Sequence, residues 1–130
     1  MTTQEAEALI QQFLHLMEAR DLDAANRMIA PDAIIIFPGG RVFRSQQEMV
    51  EAAKGRYRWV KKHFSHLDSF AADNGEIVVY VLGTLYGVNN YGVEFSGVRY
   101  VDRFVLKNGI IVSQEVWNDL AESGVLHKMA

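Results

Sequence analysis

The 130-residue sequence contains no cysteine. Disulfide bonds, thiolate nucleophiles and cysteine-ligated metal are therefore excluded. Proline is scarce, with only Pro31 and Pro38, so few positions are barred from helix or sheet by a missing N–H. No run reaches the ~18 apolar residues of a membrane-spanning helix. The opening MTTQEAEALIQQ is polar, without the apolar centre of an export signal. These absences point to a soluble, cytoplasmic protein that engages no membrane. Excess positive charge is missing too: the net charge is −3 at pH 7 with histidine neutral, which argues against a nucleic-acid partner. Histidines occur at 15, 63, 66 and 127, but His63 and His66 straddle an expected helix end with no third ligand evident, so no metal site is expected.

What is present is a core. Apolar residues make up 49% of the chain, enough for one domain with a buried interior, and the length is too short for two. Ala6, Leu9, Ile10, Phe13, Leu14 and Met17 recur with the spacing of one helical face, predicting a helix over residues 4 to about 20. Asp21 suits the cap of a second, short helix reaching Ile29, which Pro31 ends. The β-branched run 33–37 predicts a strand, and Pro38-Gly39-Gly40 turns the chain into a short Arg41-Val42-Phe43 segment. Ser45, with Glu48 at the capping-box position, opens a third helix that Met49, Ala53, Tyr57 and Val60 carry to about residue 63. Period two then takes over, predicting strands over 64–73 and 77–86 and a final hairpin over 94–119. The pattern is α+β, with a strongly curved antiparallel sheet wrapped around the third helix as a cone with an apolar interior.

The stretch 94–119, EFSGVRYVDRFVLKNGIIVSQEVWND, organises the rest. Asn108-Gly109 is the dipeptide that most readily takes the positive φ angles of a tight hairpin. On its first strand Val98, Tyr100, Asp102 and Phe104 share one face, and Arg99, Val101, Arg103 and Val105 the other. On the second, strict alternation groups Ile111, Ser113, Glu115, Trp117 and Asp119. Each strand thereby sets a carboxylate among aromatics, a costly arrangement for a plain surface and a useful one for a pocket.

With DLDAANRMIAPDAIIIFPGG early and VDRFVLKNGIIVSQEVWND late, this element order resembles the nuclear transport factor two-like superfamily. Within it the chain is most similar to SnoaL-like polyketide cyclases, over essentially the whole of 1–130 as a single domain. The resemblance implies a cystatin-like α+β barrel, a fold that hosts enzymes, ligand binders and assembly domains alike. Ketosteroid isomerases of this fold use a first-helix tyrosine, a carboxylate base ahead of the early proline, and a protonated acid in the penultimate strand. By sequence order those places hold Phe13, Phe37 and Asp102, so the base is missing and that mechanism is not expected. Limonene epoxide hydrolases pair a last-strand aspartate, matched by Asp119, with an Arg-x-Asp set whose place here, 79–84, is almost wholly apolar. SnoaL-like cyclases need only an aspartate near the end of the last strand, and Trp117-Asn118-Asp119 resembles that ending.

The resemblance thus implies Asp119 as the acid/base, although an aspartate ahead of Leu120 equally suits a helix cap. Asp102 would donate a hydrogen bond to a ligand oxygen, or else form a buried salt bridge. Tyr57, counted with the catalytic set, and Tyr100 would orient a carbonyl, or line the core with the hydroxyl toward water. Phe13, Met17, Phe37, Met49, Ala53, Val60, Tyr100 and Trp117 form the expected wall of a cavity closed by residues 120–129. Lys54, Arg56, Arg58, Lys61 and Lys62 read as a solvated basic face of the third helix, or as a dock for an anion. His63 reads as a cation at that helix's end, or as a proton carrier at the cavity mouth. The outer sheet face carrying Arg99, Val101, Arg103 and Val105 suits a homodimer interface. The expectation is a cyclase, isomerase or dehydratase without a cofactor, acting on a small hydrophobic carbonyl compound. The alternative is a non-catalytic ligand-binding or assembly module.

Overall fold

A computed structural model describes all 130 residues. The helices are α1 (Thr3–Glu18), α2 (Leu22–Asn26), α3 (Gln46–Lys54) and α4 (Leu120–Ser123). The strands are β1 (Ile29–Phe37), β2 (Arg41–Phe43), β3 (Tyr57–Ala71), β4 (Ile77–Asn89), β5 (Glu94–Lys107) and β6 (Ile110–Asn118). They form one curved, unclosed sheet in the order β2-β1-β6-β5-β4-β3, antiparallel except for the parallel pair β1–β6. No helix is long and apolar enough to cross a membrane.

A capping box starts α1: Glu5 N–H donates to Thr2 Oγ1 at 3.1 Å and Thr2 N–H to Glu5 Oε1 at 2.9 Å. Its stripe of Ala6, Ile10, Phe13, Leu14 and Met17 is buried against the sheet, with Phe13 edge-on to Phe104 at 5.9 Å. The helix inside the cone is therefore α1 and not the third helix, as the periodicity suggested. Asp21 caps α2 as expected, but β1 begins at Ile29, and Pro31 lies within it where the pairing to β6 is irregular between Ile29 and Ile34. An irregular stretch is where a strand tolerates a residue without an N–H. The Asn108-Gly109 turn takes φ of 53° and 78°, as the hairpin requires.

The largest departure from the sequence expectation is at residues 57–63, which are strand and not helix. The helix stops at Lys54 with Gly55 as its C-cap. Bulges in β3 between Tyr57 and Trp59 and between Phe64 and His66 each insert one extra residue. Inward apolar residues therefore fall at 57, 60, 64 and 67, a spacing that mimics a helix. Gly83 and Gly87 of β4 accommodate these kinks. A Cβ at either would lie 1.9 Å from the His63 carbonyl oxygen or 2.2 Å from that of Trp59, so no larger residue fits the close approach.

A second irregularity re-aims β6. Val105 pairs with Ser113 but Leu106 with Ile111, leaving Val112 unpaired between them. Alternation flips there: Ile111 is buried, and beyond the flip Gln114 and Val116 are the buried residues, opposite Phe104 and Asp102, while Trp117 is 51% exposed. The expected common face of Ile111, Trp117 and Asp119 does not exist.

After β6 the chain folds across the end of the sheet. Leu120 and Leu126 are buried there, and Asn89 Nδ2 donates to the carbonyls of Val125 and Lys128, both at 2.7 Å.

Candidate active site

Asp102 is fully buried at 0% exposure. It sits between Tyr100 and Phe104 on the inward face of β5, with Val81 and Val116 opposite it on the neighbouring strands. Apart from Lys62, neither carboxylate oxygen has a polar partner. Its ionic contact is Lys62 Nζ, 3.6 Å from Oδ2, an ion pair longer than a hydrogen bond. Burial in this apolar setting pushes the Asp102 pKa up, and the Lys62 charge offsets that only in part. The Tyr100 hydroxyl is also buried without a partner; burial first, then Asp102, then Glu18 push its pKa up. Lys62 Nζ lies 5.3 Å from the centre of the Tyr100 ring, within cation–π range.

Lys62 reaches this place because it lies on the inward phase of β3, bracketed by Val60 and Phe64. Its backbone N–H donates to Glu18 Oε1 at 2.8 Å, tying the end of α1 to mid-β3. Its side chain is 24% exposed and lines a crevice of about 80 Å³. Met17, Phe37, Met49, Ala53, Tyr57 and Val60, all expected in the wall or the site, line the same crevice, with Glu18 and Arg20 also in its lining. A smaller space of about 30 Å³ adjoins it, shares Phe37, Met49, Ala53 and Tyr57, and continues to Asn118 and Leu120. Lys62 thus connects the crevice to Asp102, which lies behind it.

Other expected site residues lie elsewhere. Phe13 is at 0% exposure in the closed core. Trp117 and Asp119 are on the outer side of the sheet, because the flip at Val112 turns them away from the cone. Asp119 Oδ2 accepts from Arg99 Nε at 2.6 Å, and Arg99 is 81% exposed. Asp119 stands at the N-cap position of α4 without a side-chain cap bond; Asn118 Oδ1 accepts from Leu120 N–H instead, at 3.1 Å. Asp119 is thereby separated from Asp102 and Tyr57, contrary to the expectation that they share a cavity. His63 faces outward, stacked on Tyr86 at 4.2 Å, so it is neither at a helix end nor at the cavity mouth. The basic run also divides: Lys61 is exposed near the Trp59 ring, Arg56 lines the smaller space, and Lys62 lines the crevice.

The largest concavity, about 590 Å³, is on this outer face and is lined by Leu82, Thr84, Arg99, Val101, Trp117 and Asp119 among others. It is open, and its carboxylate is already ion-paired with arginine. The interior crevice is smaller, but Lys62 in its lining reaches toward the buried Asp102 carboxylate behind it, the group whose titration burial perturbs. Sequence reasoning missed Lys62 and Glu18. The signal for Lys62 was the even spacing of Val60, Lys62 and Phe64, visible once the segment is read as a strand.

The sequence profile of the SnoaL-like domain family matches residues 10–114. No curated protein sequence matches the chain. Among solved structures, TerC co-crystallised with polyporic acid is similar with a TM-score of 0.75 at 14% identity, over 93% of this chain and 97% of that one. A nuclear transport factor two-like protein of unknown function from Burkholderia pseudomallei has a TM-score of 0.75 at 19% identity, over 97% and 98%. A candidate polyketide cyclase from Xanthomonas campestris has a TM-score of 0.67 at 15% identity, over 95% and 98%. At these identities the structural likenesses establish the fold.

Proposed function

We propose that this chain, which belongs to the SnoaL-like domain family, is a cofactor-independent enzyme that moves protons on a small hydrophobic carbonyl compound. Cyclisation, isomerisation and dehydration all begin with such a step. The observation that carries the reading is the Lys62–Asp102 pair at 3.6 Å, its carboxylate fully buried and its amine in the lining of an apolar crevice. Lys62 Nζ is the group that meets the substrate; it removes or returns the proton on the carbon beside the carbonyl. Asp102 behind it accepts the proton that Lys62 gives up, and the Tyr57 hydroxyl polarises the carbonyl oxygen. Two neighbours lend support, one crystallised with polyporic acid and one named as a candidate polyketide cyclase. The test is hydrogen–deuterium exchange next to the carbonyl of small ketones such as cyclohexanone in D₂O. Exchange above the buffer rate, suppressed when Ala53→Leu fills the crevice, is the expected result. Exchange at the buffer rate across a panel of small ketones contradicts the reading.

A specific observation favours a second reading. Phe37 stands where isomerases of this fold place their carboxylate base, as expected of a non-catalytic binding or assembly module. A small apolar ligand that co-purifies and is recovered chemically unchanged would support it. In either case the outer sheet face is the proposed homodimer interface: Trp59 and Trp117 are 42% and 51% exposed there, and Arg103 with Glu115 and Arg99 with Asp119 offer both signs of charge. Sedimentation equilibrium is expected to give a dimer that Trp117→Glu dissociates, and a monomeric parent protein rejects it.

A further inference from the structure

We infer that Arg41 and Arg56 form a carboxylate subsite beside the crevice, so that the molecule bound there is a small organic acid with an apolar chain. The subsite stands on the arginines alone. That the acid also carries a carbonyl group rests on the acid/base reading of the crevice.

The cations of the ion pairs within 4 Å are Lys54, Lys62, His66, Arg99 and Arg103. Of the arginines and lysines left without an acidic partner, all but two are exposed. Those two are Arg41 and Arg56, both half-buried, and both line the same space of about 30 Å³. They come to it from separate elements: Arg41 opens β2, and Arg56 follows the Gly55 cap of α3. Burial, and then the charge of Arg56, push the Arg41 pKa down, as expected of two cations with no carboxylate between them. Withdrawing like charges together from water is unfavourable, and an anion between them reverses the sign.

Arg41 is already oriented. Its Nε donates to the Pro38 carbonyl at 3.2 Å, and its guanidinium carbon lies 5.6 Å from the centre of the Phe43 ring. The two terminal nitrogens remain as the planar fork that matches a carboxylate. The other polar side chains of the lining are Tyr57 and Asn118, with no acid among them. Asn118 Oδ1 is occupied by the Leu120 N–H at 3.1 Å, which leaves its amide N–H groups to donate. So small a space suits a flat carboxylate better than a bulkier phosphoryl group. It shares Phe37, Met49, Ala53 and Tyr57 with the crevice, so one molecule can set its carboxylate between the arginines and its chain against Met49 and Val60. Tyr57 lines both spaces, which is where a carbonyl close to the carboxylate would fall.

The test is calorimetric titration with pentanoate, its neutral counterpart pentanamide, and the oxo acid levulinate. Pentanoate should bind at least ~10-fold more tightly than pentanamide, and lose at least ~10-fold in Arg41→Gln and in Arg56→Gln, as for a charge-assisted hydrogen bond. Arg56→Gln should also unfold at no lower a urea concentration than the parent, since it removes repulsion and no ion pair. Pentanamide binding as tightly as pentanoate, or an unchanged affinity in Arg56→Gln, overturns the subsite. Inorganic phosphate binding more tightly than pentanoate overturns the choice of a carboxylate. The two readings fail separately. Arginine-dependent pentanoate binding without deuterium exchange on levulinate supports the subsite and contradicts only the acid/base reading. Exchange on cyclohexanone with no preference for pentanoate does the reverse.

Discussion

Lys62→Met is expected to lower turnover in the ketone exchange assay by about 10²–10⁴-fold, the range a general acid or base contributes, with a smaller change in KM. Methionine keeps the length and apolar stem of lysine, so the wall beside Val60 and Tyr57 persists. Only the amine is lost. Removing the cation takes away the charge that pulls the Asp102 pKa down, so its carboxyl should hold a proton more readily in the variant. Lys62→Arg should be nearly as inactive, because a guanidinium keeps the charge but does not give up its proton. Together the variants separate proton transfer from simple charge stabilisation. A Lys62→Met protein that retains its rate removes Lys62 from the chemistry.

Asn89→Ala should destabilise the fold by roughly 3–4 kcal/mol, at about 1 kcal/mol for each hydrogen bond lost and more where a buried group is orphaned. Asn89 is at 0% exposure and uses its whole amide group. Its Nδ2 donates to the carbonyls of Val125 and Lys128 at 2.7 Å, and its Oδ1 accepts from the N–H groups of Tyr91 and Val93 at 2.9 Å. One side chain thus closes the β4–β5 turn and fastens the C-terminal segment over the sheet. Asn89→Asp should be worse than alanine, since it sets a carboxylate against two carbonyl oxygens. Urea unfolding with linear extrapolation measures both variants, and a loss below about 1 kcal/mol in Asn89→Ala contradicts the clamp.

The fold was legible where local chemistry and period agree. Asp21 and Ser45 cap helices, the α1 stripe has helical spacing, and Asn108-Gly109 requires a hairpin. It was illegible where bulges break the period. The first bulge of β3 puts inward residues at 57 and 60, which continued the helical spacing of Met49 and Ala53 and concealed Lys62 in a basic run. The slip at Val112 sent Trp117 and Asp119 to the outer face, although alternation placed them inside. Bulges depend on pairing with another strand, and a single segment carries no record of its partner's register. Gly83 and Gly87 were the trace available, since glycine inside a strand marks a close backbone approach. Asp102 was found because its side of β5 alternates without interruption from Val98 to Phe104. Its partner lay across a misread segment, and so the chemistry was first assigned to Asp119.

The most direct measurement needs no substrate: a carbon-13 NMR titration of the aspartate carboxyls, with Asp102 assigned through Asp102→Asn. In the folded protein the Asp102 midpoint should lie above the ordinary value of 3.8, because burial outweighs the pull of Lys62. Lys62→Met should move it higher still. The sign extends to stability. A carboxyl that holds its proton more tightly when folded contributes most below pH 3.8, and that contribution is lost as pH rises through its raised folded-state value. The parent protein should therefore lose stability relative to Asp102→Asn across that window. An Asp102 midpoint at or below 3.8, unmoved by Lys62→Met, would mean that the pair is an ordinary solvated salt bridge and would contradict an acid/base site in the cone.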